Sequence, residues 1–146
     1  MATSFRLLVP QRFFDGMIAQ ALAENPNECC GLLAGIGDET EAGRVGRVVQ
    51  RYPLINSLAR PTAFLSDPQS MFEADRDKRQ RGLEILAVYH SHPQSAPIPS
   101  QTDLAQNYSE DVMNLIVSLK GQEPELRGWW LTAAGYREAA ASSLLQ

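Results

Sequence analysis

The strongest constraint on the fold is an apolar run that leads directly into two histidines. Leu83 to Tyr89 has the composition of a buried β-strand, and His90 and His92 follow it. Side chains alternate along a strand, so both imidazoles point to the same face. Asp103 follows His92 after ten intervening residues and offers an oxygen ligand. Two histidines and one carboxylate are the three protein ligands typical of a catalytic zinc site with one open position.

The same residues also have structural interpretations. A histidine pair can close the end of a sheet, and an aspartate in the first turn of a helix can cap that helix. The loop between the histidines and the aspartate, residues 93–99, contains three prolines, which restrict the backbone. A stiff connection of this kind favours a fixed ligand geometry.

Composition limits the classes of protein to which the chain can belong. With 146 residues, 44% hydrophobic and 21% charged, it is expected to form a single domain over residues 1–146. The net charge of -4 argues against nucleic-acid binding, because phosphates require a basic surface. No apolar run approaches the roughly 20 residues that span a bilayer, and the first residues lack a signal-peptide layout. We therefore expect a cytoplasmic protein with no membrane contact.

The predicted elements place the chain in the α/β class, with a mixed β-sheet flanked by helices. Their order does not follow a regular β-α-β alternation, and no linker divides the chain. The mixed charges of residues 73–81 indicate a solvent-facing helix surface with internal ion pairs. Strands are predicted at residues 5–9, 28–35, 44–52, 62–66, 83–89, 113–119, 126–132 and 136–140, and helices at 10–24, 68–81 and 101–107.

Two further polar residues stand out in this pattern. Glu28 opens the apolar strand predicted at residues 28–35, where a carboxylate is unusual. Ser100 lies three residues before Asp103 and is a candidate N-cap for the predicted helix. Neither position has a functional meaning by itself.

Taken together, these motifs resemble the JAMM (MPN+) metalloprotease family. The matching features are His-x-His followed by ten residues and Asp, a Ser three residues before that Asp, and the upstream sequence Glu-Cys-Cys-Gly-Leu-Leu. Flanking similarity extends from about Phe5 to Leu131. The resemblance implies a curved, mixed sheet of the MPN/JAMM type, with an architecture like that of cytidine deaminases. It also implies that His90, His92 and Asp103 are ligands of Zn²⁺.

The resemblance implies roles for the remaining two residues. Glu28 would be the general base and acid that assists attack by zinc-bound water, and burial in an apolar strand would raise its pKa toward the useful range. Ser100 would donate its hydroxyl hydrogen to the oxyanion. The helix-cap role of Ser100 competes for the same hydroxyl.

The family also implies a substrate class. Its members are zinc-dependent peptidases and isopeptidases that cut after the C-terminal glycine of ubiquitin or ubiquitin-like proteins. This compact chain is similar to the prokaryotic form, so we expect a ubiquitin-like or sulfur-carrier protein ending in Gly-Gly as substrate, and apolar surface that supports a homodimer. Relatives without the ligands are scaffolds, which makes a non-catalytic interaction module the alternative.

The two cysteines offer a weaker alternative. Cys29 and Cys30 are adjacent in the sequence, so a disulfide between them would be badly strained, and we expect reduced, buried thiols. A thiol with a histidine can form a structural zinc site or a cysteine hydrolase. Neither a structural zinc site of this kind nor a cysteine hydrolase would explain the spacing of His90, His92 and Asp103.

Overall fold

The computed structural model describes residues 4–139 and 144–145. Within these residues the chain forms eight strands and three helices, which occur in an irregular order. They are β1 (Arg6–Leu8), α1 (Gln11–Glu24), β2 (Cys30–Thr40), β3 (Gly43–Leu54), α2 (Pro68–Gln80), β4 (Glu84–His92), α3 (Gln101–Ala105), β5 (Met113–Ser118), β6 (Glu125–Thr132), β7 (Gly135–Glu138) and β8 (Leu144–Leu145).

All of these strands belong to one mixed sheet with the order β7-β6-β5-β4-β2-β3-β1-β8. Strand β4 lies near the middle, antiparallel to β2 and parallel to β5. The register of β2 shifts against β4 between Leu33 and Ala34, and against β3 between Ala34 and Gly35. Such bulges bend a strand and increase its twist. The prediction of a mixed, curved sheet with helices is confirmed.

Helices cover both faces of the sheet. On one face, Met17 and Ala21 of α1 are fully buried in the largest apolar cluster, which also contains Leu33 and Leu86. On the other face, Ala74 of α2 belongs to a second cluster with residues of β2 and β3. Burial of these apolar helix residues holds the sheet between α1 and α2, since roughly 25 cal/mol is gained per Å² of apolar surface removed from water.

The pairing of β2 with β4 positions the functional residues. Cys30 lies opposite His90, and Gly31 lies opposite Tyr89. The Tyr89 ring occupies the space that a Cβ at position 31 would need, so a glycine is required there. This register brings the start of β2 beside the end of β4.

Several predicted boundaries change in the structure. The predicted strand at residues 62–66 is wrong, because this segment makes only one isolated bridge, Asn56 to Ser66. Glu28 precedes β2 instead of lying in it, and β2 continues to Thr40, since the polar hairpin tip keeps its pairing with β3. His92 belongs to β4, whereas α3 ends at Ala105.

The remaining predictions for the helices and the C-terminus can also be compared. The charged face of α2 carries the expected internal pairs, in which Asp75 contacts Lys78 and Arg79, and Asp77 contacts Arg81. The last residue of the strand predicted at 136–140 lies outside the described residues. Among the helices that are described, none is both long and apolar enough to cross a membrane.

Candidate metal centre

The structure brings the predicted ligands together at the end of β4. The Nε2 atoms of His90 and His92 lie 3.1 Å apart. Asp103 places Oδ1 3.2 Å from Nε2 of His90 and Oδ2 3.1 Å from Nε2 of His92. All three side chains are nearly inaccessible to solvent. One buried point is therefore surrounded by two imidazole nitrogens and a carboxylate.

The orientation of His92 is set by the proline-rich loop. Its Nδ1 lies 2.8 Å from the carbonyl oxygen of Ala96, a contact in which Nδ1–H donates and Nε2 is turned toward Asp103. The loop itself is fixed by two side chains from the sheet. Ser118 Oγ donates to the Ser95 carbonyl and Trp129 Nε1 donates to the Pro97 carbonyl. The loop is therefore held rigidly, as its proline content suggests.

His90 is covered by an aromatic ring that the sequence did not indicate. The Phe64 ring stacks on the imidazole with a centroid distance of 4.9 Å and an interplanar angle of 29°. Phe64 comes from the loop between β3 and α2, and this loop was predicted to contain a strand. The apolar side chain in segment 62–66 thus packs at the site, and the segment does not pair as a strand.

Asp103 is held by a capping box at the start of α3. Its Oδ2 accepts from the Ser100 backbone N–H at 2.9 Å, and Ser100 Oγ accepts from the Asp103 backbone N–H at 3.1 Å. Burial opposes ionisation of this carboxyl, but hydrogen bonds from His90 and His92 outweigh burial and hold its pKa well below the usual range. Ser100 itself is exposed to solvent. The predicted helix-cap role of Ser100 is confirmed.

The donor set fits a zinc ion. Ligand atoms about 2.0–2.1 Å from a tetrahedral ion lie roughly 3.3–3.4 Å from one another. The separations among the two Nε2 atoms and the Asp103 oxygens are 3.1–3.2 Å. These atoms therefore need to move only slightly apart to reach that geometry. Nitrogen and oxygen donors of this kind are ordinary zinc ligands, and three of them leave a coordination position open.

Glu28 lies close to these ligands and is buried. Its side chain is 3% exposed, and among the described residues its Oε1 has no hydrogen-bond partner. Burial raises the pKa of Glu28 to about 8, while His92 acts to lower it and Asp103 to raise it. A carboxyl with an unpaired, buried oxygen is costly to stability, and such groups are concentrated at functional sites.

The thiols are poorly suited to chemistry. Cys29 and Cys30 are both free and buried, as expected. Burial raises the pKa of Cys29 to about 11 and that of Cys30 to about 12, so both remain protonated at neutral pH. Ser91, which the alternation of β4 turns away from the histidines, accepts a hydrogen bond from the Cys29 backbone N–H. These residues support the fold around the site, which argues against a cysteine hydrolase.

A cavity of about 370 Å³ opens beside the ligands. His90 and Asp103 lie at its wall, and its lining is mainly apolar. The main contributions come from β2, β4, the loop that follows β3, and the segment after α3. The residues that line it include Leu32, Leu54, Phe64, Leu65, Met71, Val88, Gln106, Tyr108 and Asn114. A chain segment that enters this cavity reaches His90 and Asp103.

The shift of Glu28 links stability to pH in the metal-free protein. Its pKa rises from 4.5 to about 8 on folding, so the folded state retains this proton when the unfolded state has lost it, and stability falls as the pH rises between these values. In chelator, we expect Glu28→Gln to become progressively more stable than the native protein over this range. Urea unfolding at several pH values measures the difference. A difference that does not change with pH would contradict the shift.

The sequence of the chain is similar to several named proteins. Residues 10–132 match the model of the prokaryotic homologues of the JAB domain. A desampylase from Pyrococcus furiosus is 31% identical over 86% of this chain and 81% of its own. A probable TtuB-protein conjugate cleaving protease from Thermus thermophilus is 37% identical over 68% of this chain and 62% of its own. The CysO-cysteine peptidase of Mycobacterium tuberculosis is 26% identical over 87% of this chain and 84% of its own.

Solved structures agree in fold. A protein from Desulfitobacterium hafniense, determined in solution, superposes with a TM-score of 0.82 at 29% identity and covers 95% of this chain and 91% of that one. A JAB1/MPN domain protein from Archaeoglobus fulgidus has a TM-score of 0.54 at 17% identity, covering 97% and 99%, and shows the fold alone. With the family match over most of its length, the chain belongs to the prokaryotic JAB-domain family, the JAMM-type group that its motifs resemble.

Proposed function

We propose that this JAMM-type enzyme uses zinc to hydrolyse a peptide or isopeptide bond after the C-terminal glycine of a ubiquitin-like or sulfur-carrier protein. One observation carries the proposal. A buried carboxyl group, Glu28, interacts electrostatically with His92 and Asp103, which form a potential ligand group with His90, and an apolar cavity leads to that group. A scaffold needs neither the ligand group nor the unpaired, buried carboxyl oxygen.

His90 and His92 would hold the ion through Nε2, and Asp103 through a carboxylate oxygen. Zinc, when bound, lowers the pKa of a coordinated water to about 7 and polarises a carbonyl group. The Ala96 carbonyl keeps the proton of His92 on Nδ1, so Nε2 faces inward without rearrangement. The ligand arrangement is therefore formed before binding, and little ordering accompanies it.

Glu28 is assigned the proton transfers. Its Oε1 accepts a proton from the attacking water and returns it to the departing amine, because this oxygen has no competing partner within the described residues. A pKa of about 8 in the metal-free protein shows how strongly burial favours the protonated form. A cation at the neighbouring ligands lowers that pKa toward neutrality, where one group can both take and give a proton.

Ser100 is assigned to the oxyanion. Its Oγ accepts from the Asp103 backbone N–H, so the hydroxyl hydrogen stays available for donation. The residue is exposed, so a substrate carbonyl can approach it. Cap and donor are therefore compatible uses of the same hydroxyl, in contrast to the competition expected from the sequence.

The relatives and the cavity support the proposed substrate class. The desampylase, the TtuB-conjugate protease and the CysO-cysteine peptidase are each named for cleaving a protein conjugate or a protein carrying an added residue. An apolar cavity that ends at the ligands suits an extended, flexible C-terminal tail whose last residues are small. A cytoplasmic location, a homodimer and a single domain over residues 1–146 remain expectations.

Metal analysis tests the ligands. We expect about one zinc per chain in the purified protein and none in a His90→Ala, His92→Ala variant, because two of three protein ligands are lost. Cys30→Ala is the matched control, since Cys30 lies directly opposite His90 in the sheet and should keep its zinc. Full metal content in the double variant would remove both histidines from the site.

Cleavage of defined substrates tests the reaction. Ubiquitin-like carriers with C-terminal extensions are mixed with the protein, and mass loss is followed with and without chelator. Glu28→Gln should keep its zinc and its fold but lose about 100- to 10,000-fold in turnover, the usual range for a general acid-base. Glu39→Gln, at the exposed hairpin tip, is the control. Failure of the zinc-loaded native protein to cleave any carrier would favour a non-catalytic interaction module.

Ser100→Ala separates the two uses of the hydroxyl. Loss of the cap alone costs about 1 kcal/mol of stability and leaves turnover intact, whereas loss of an oxyanion donor lowers kcat by about 100- to 1,000-fold. We expect the large kinetic loss, with Ser100→Thr retaining most activity. Urea unfolding and steady-state kinetics on the same samples distinguish the outcomes. A normal kcat in Ser100→Ala would show that the Ser100 hydroxyl acts only as a helix cap.

A further inference from the structure

The position of the Glu28 carboxyl is set through its backbone. Among the described residues its Oε1 has no hydrogen-bond partner, and the residue precedes β2 instead of lying in the sheet. Two contacts from the β3–α2 loop hold its peptide groups. The Glu28 N–H donates to the Arg60 carbonyl at 2.8 Å, and the Glu28 carbonyl accepts from Asn56 Nδ2 at 2.9 Å.

The second of these contacts comes from a buried side chain. Asn56 is 9% exposed, and its Oδ1 accepts from the backbone N–H groups of Leu58, at 3.1 Å, and Leu65, at 2.9 Å. Its Nδ2 lies 3.4 Å from the Ala63 carbonyl as well. The amide thus uses its acceptor to close the loop on itself and its donor to fasten that loop to Glu28.

The same loop carries the ring that covers the ligand group. Phe64 lies between the two backbone groups, of Ala63 and Leu65, that contact the Asn56 amide, and it stacks on His90. Movement of the loop relative to Glu28 would therefore shift the carboxyl and the stacked ring against each other. The Asn56 side chain therefore links the backbone of Glu28 to the loop that carries Phe64.

We propose that Asn56 is a positioning residue for the hydrolytic reaction, which fixes Glu28 relative to the metal ligands through the bond from its Nδ2 to the Glu28 carbonyl. The inference rests on the function proposed above. The bland alternative is that Asn56 only closes a turn, which rests mainly on its Oδ1, because the contact of Nδ2 with the Ala63 carbonyl is the longer one at 3.4 Å. The shorter Nδ2 contact, to the Glu28 carbonyl, is the one that the positioning role requires.

Asn56→Asp separates these roles, because a carboxylate has the same shape and keeps the acceptor but has no donor. We expect its kcat on a carrier-extension fusion to fall roughly 10- to 100-fold, with KM within about twofold of native, since binding is preserved and the proton-transfer geometry is lost. Zinc content should stay native. Tyr52→Phe is the matched control: it removes a hydrogen bond from β3 to Asp77 of α2, away from the site, and should leave kcat unchanged.

Amide hydrogen exchange on the zinc-loaded protein gives a readout that does not depend on turnover. In Asn56→Asp, the Leu65 amide should stay protected because its acceptor remains. The Glu28 amide donates to the Arg60 carbonyl of the same loop, so its protection should fall when the Nδ2 contact no longer fastens that loop to Glu28. Asn56→Ala should lose both. A structural role alone predicts unchanged Glu28 protection in Asn56→Asp and native kcat, and either result would overturn the positioning role.

These outcomes are separable from failure of the proposed function. If the zinc-loaded native protein cleaves no carrier fusion, the hydrolase assignment fails and the kinetic comparison is void. The exchange experiment still decides whether Nδ2 of Asn56 holds Glu28. If native protein cleaves and Glu28→Gln does not, but Asn56→Asp has native kcat, the hydrolase stands and the positioning role is wrong.

Discussion

The register between β2 and β4 is the constraint on which the site depends. Cys30 lies opposite His90, so Glu28, two residues before Cys30, is carried to the end of the strand that bears both histidines. Because a shift by one residue would turn every side chain of a strand to the other face, this alignment cannot drift while the apolar faces remain buried. Tyr89 packed over Gly31 reinforces it, since only a glycine leaves room for the ring.

Two carboxyl groups can be buried in one site because their surroundings differ. Asp103 faces two imidazoles and accepts a backbone N–H, so its charge is compensated and its pKa is held low. Glu28 has no such partner for Oε1 within the described residues, so burial favours its neutral form in the metal-free protein. The environment thus keeps Asp103 charged, as its proposed ligand role requires, and keeps a proton on Glu28, the group proposed for proton transfer.

The sequence was sufficient for the features that depend on local pattern. The alternation of β4 placed His90 and His92 on one face, and the capping signal at Ser100 placed Asp103 in the first turn of a helix; both hold in the structure. The bulges of β2 and the pairing of Cys30 with His90 are set by long-range packing, for which the sequence carries no local signal. The family resemblance assigned only Glu28 and the two histidines to one site.

The residues that sequence reasoning missed share one property: they contact residues far along the chain. Asn56 lies 28 positions from Glu28, and the donor that joins them leaves no periodic trace. Phe64 was misread because an apolar residue in an extended segment is typical of a strand, yet its ring packs on His90. A buried asparagine with four polar contacts in a loop is costly unless every contact is made. This fully satisfied amide therefore gives an irregular loop the rigidity that a strand obtains from its ladder. It holds the Glu28 backbone in place, while Oε1 of Glu28 has no partner among the described residues that would compete for its proton.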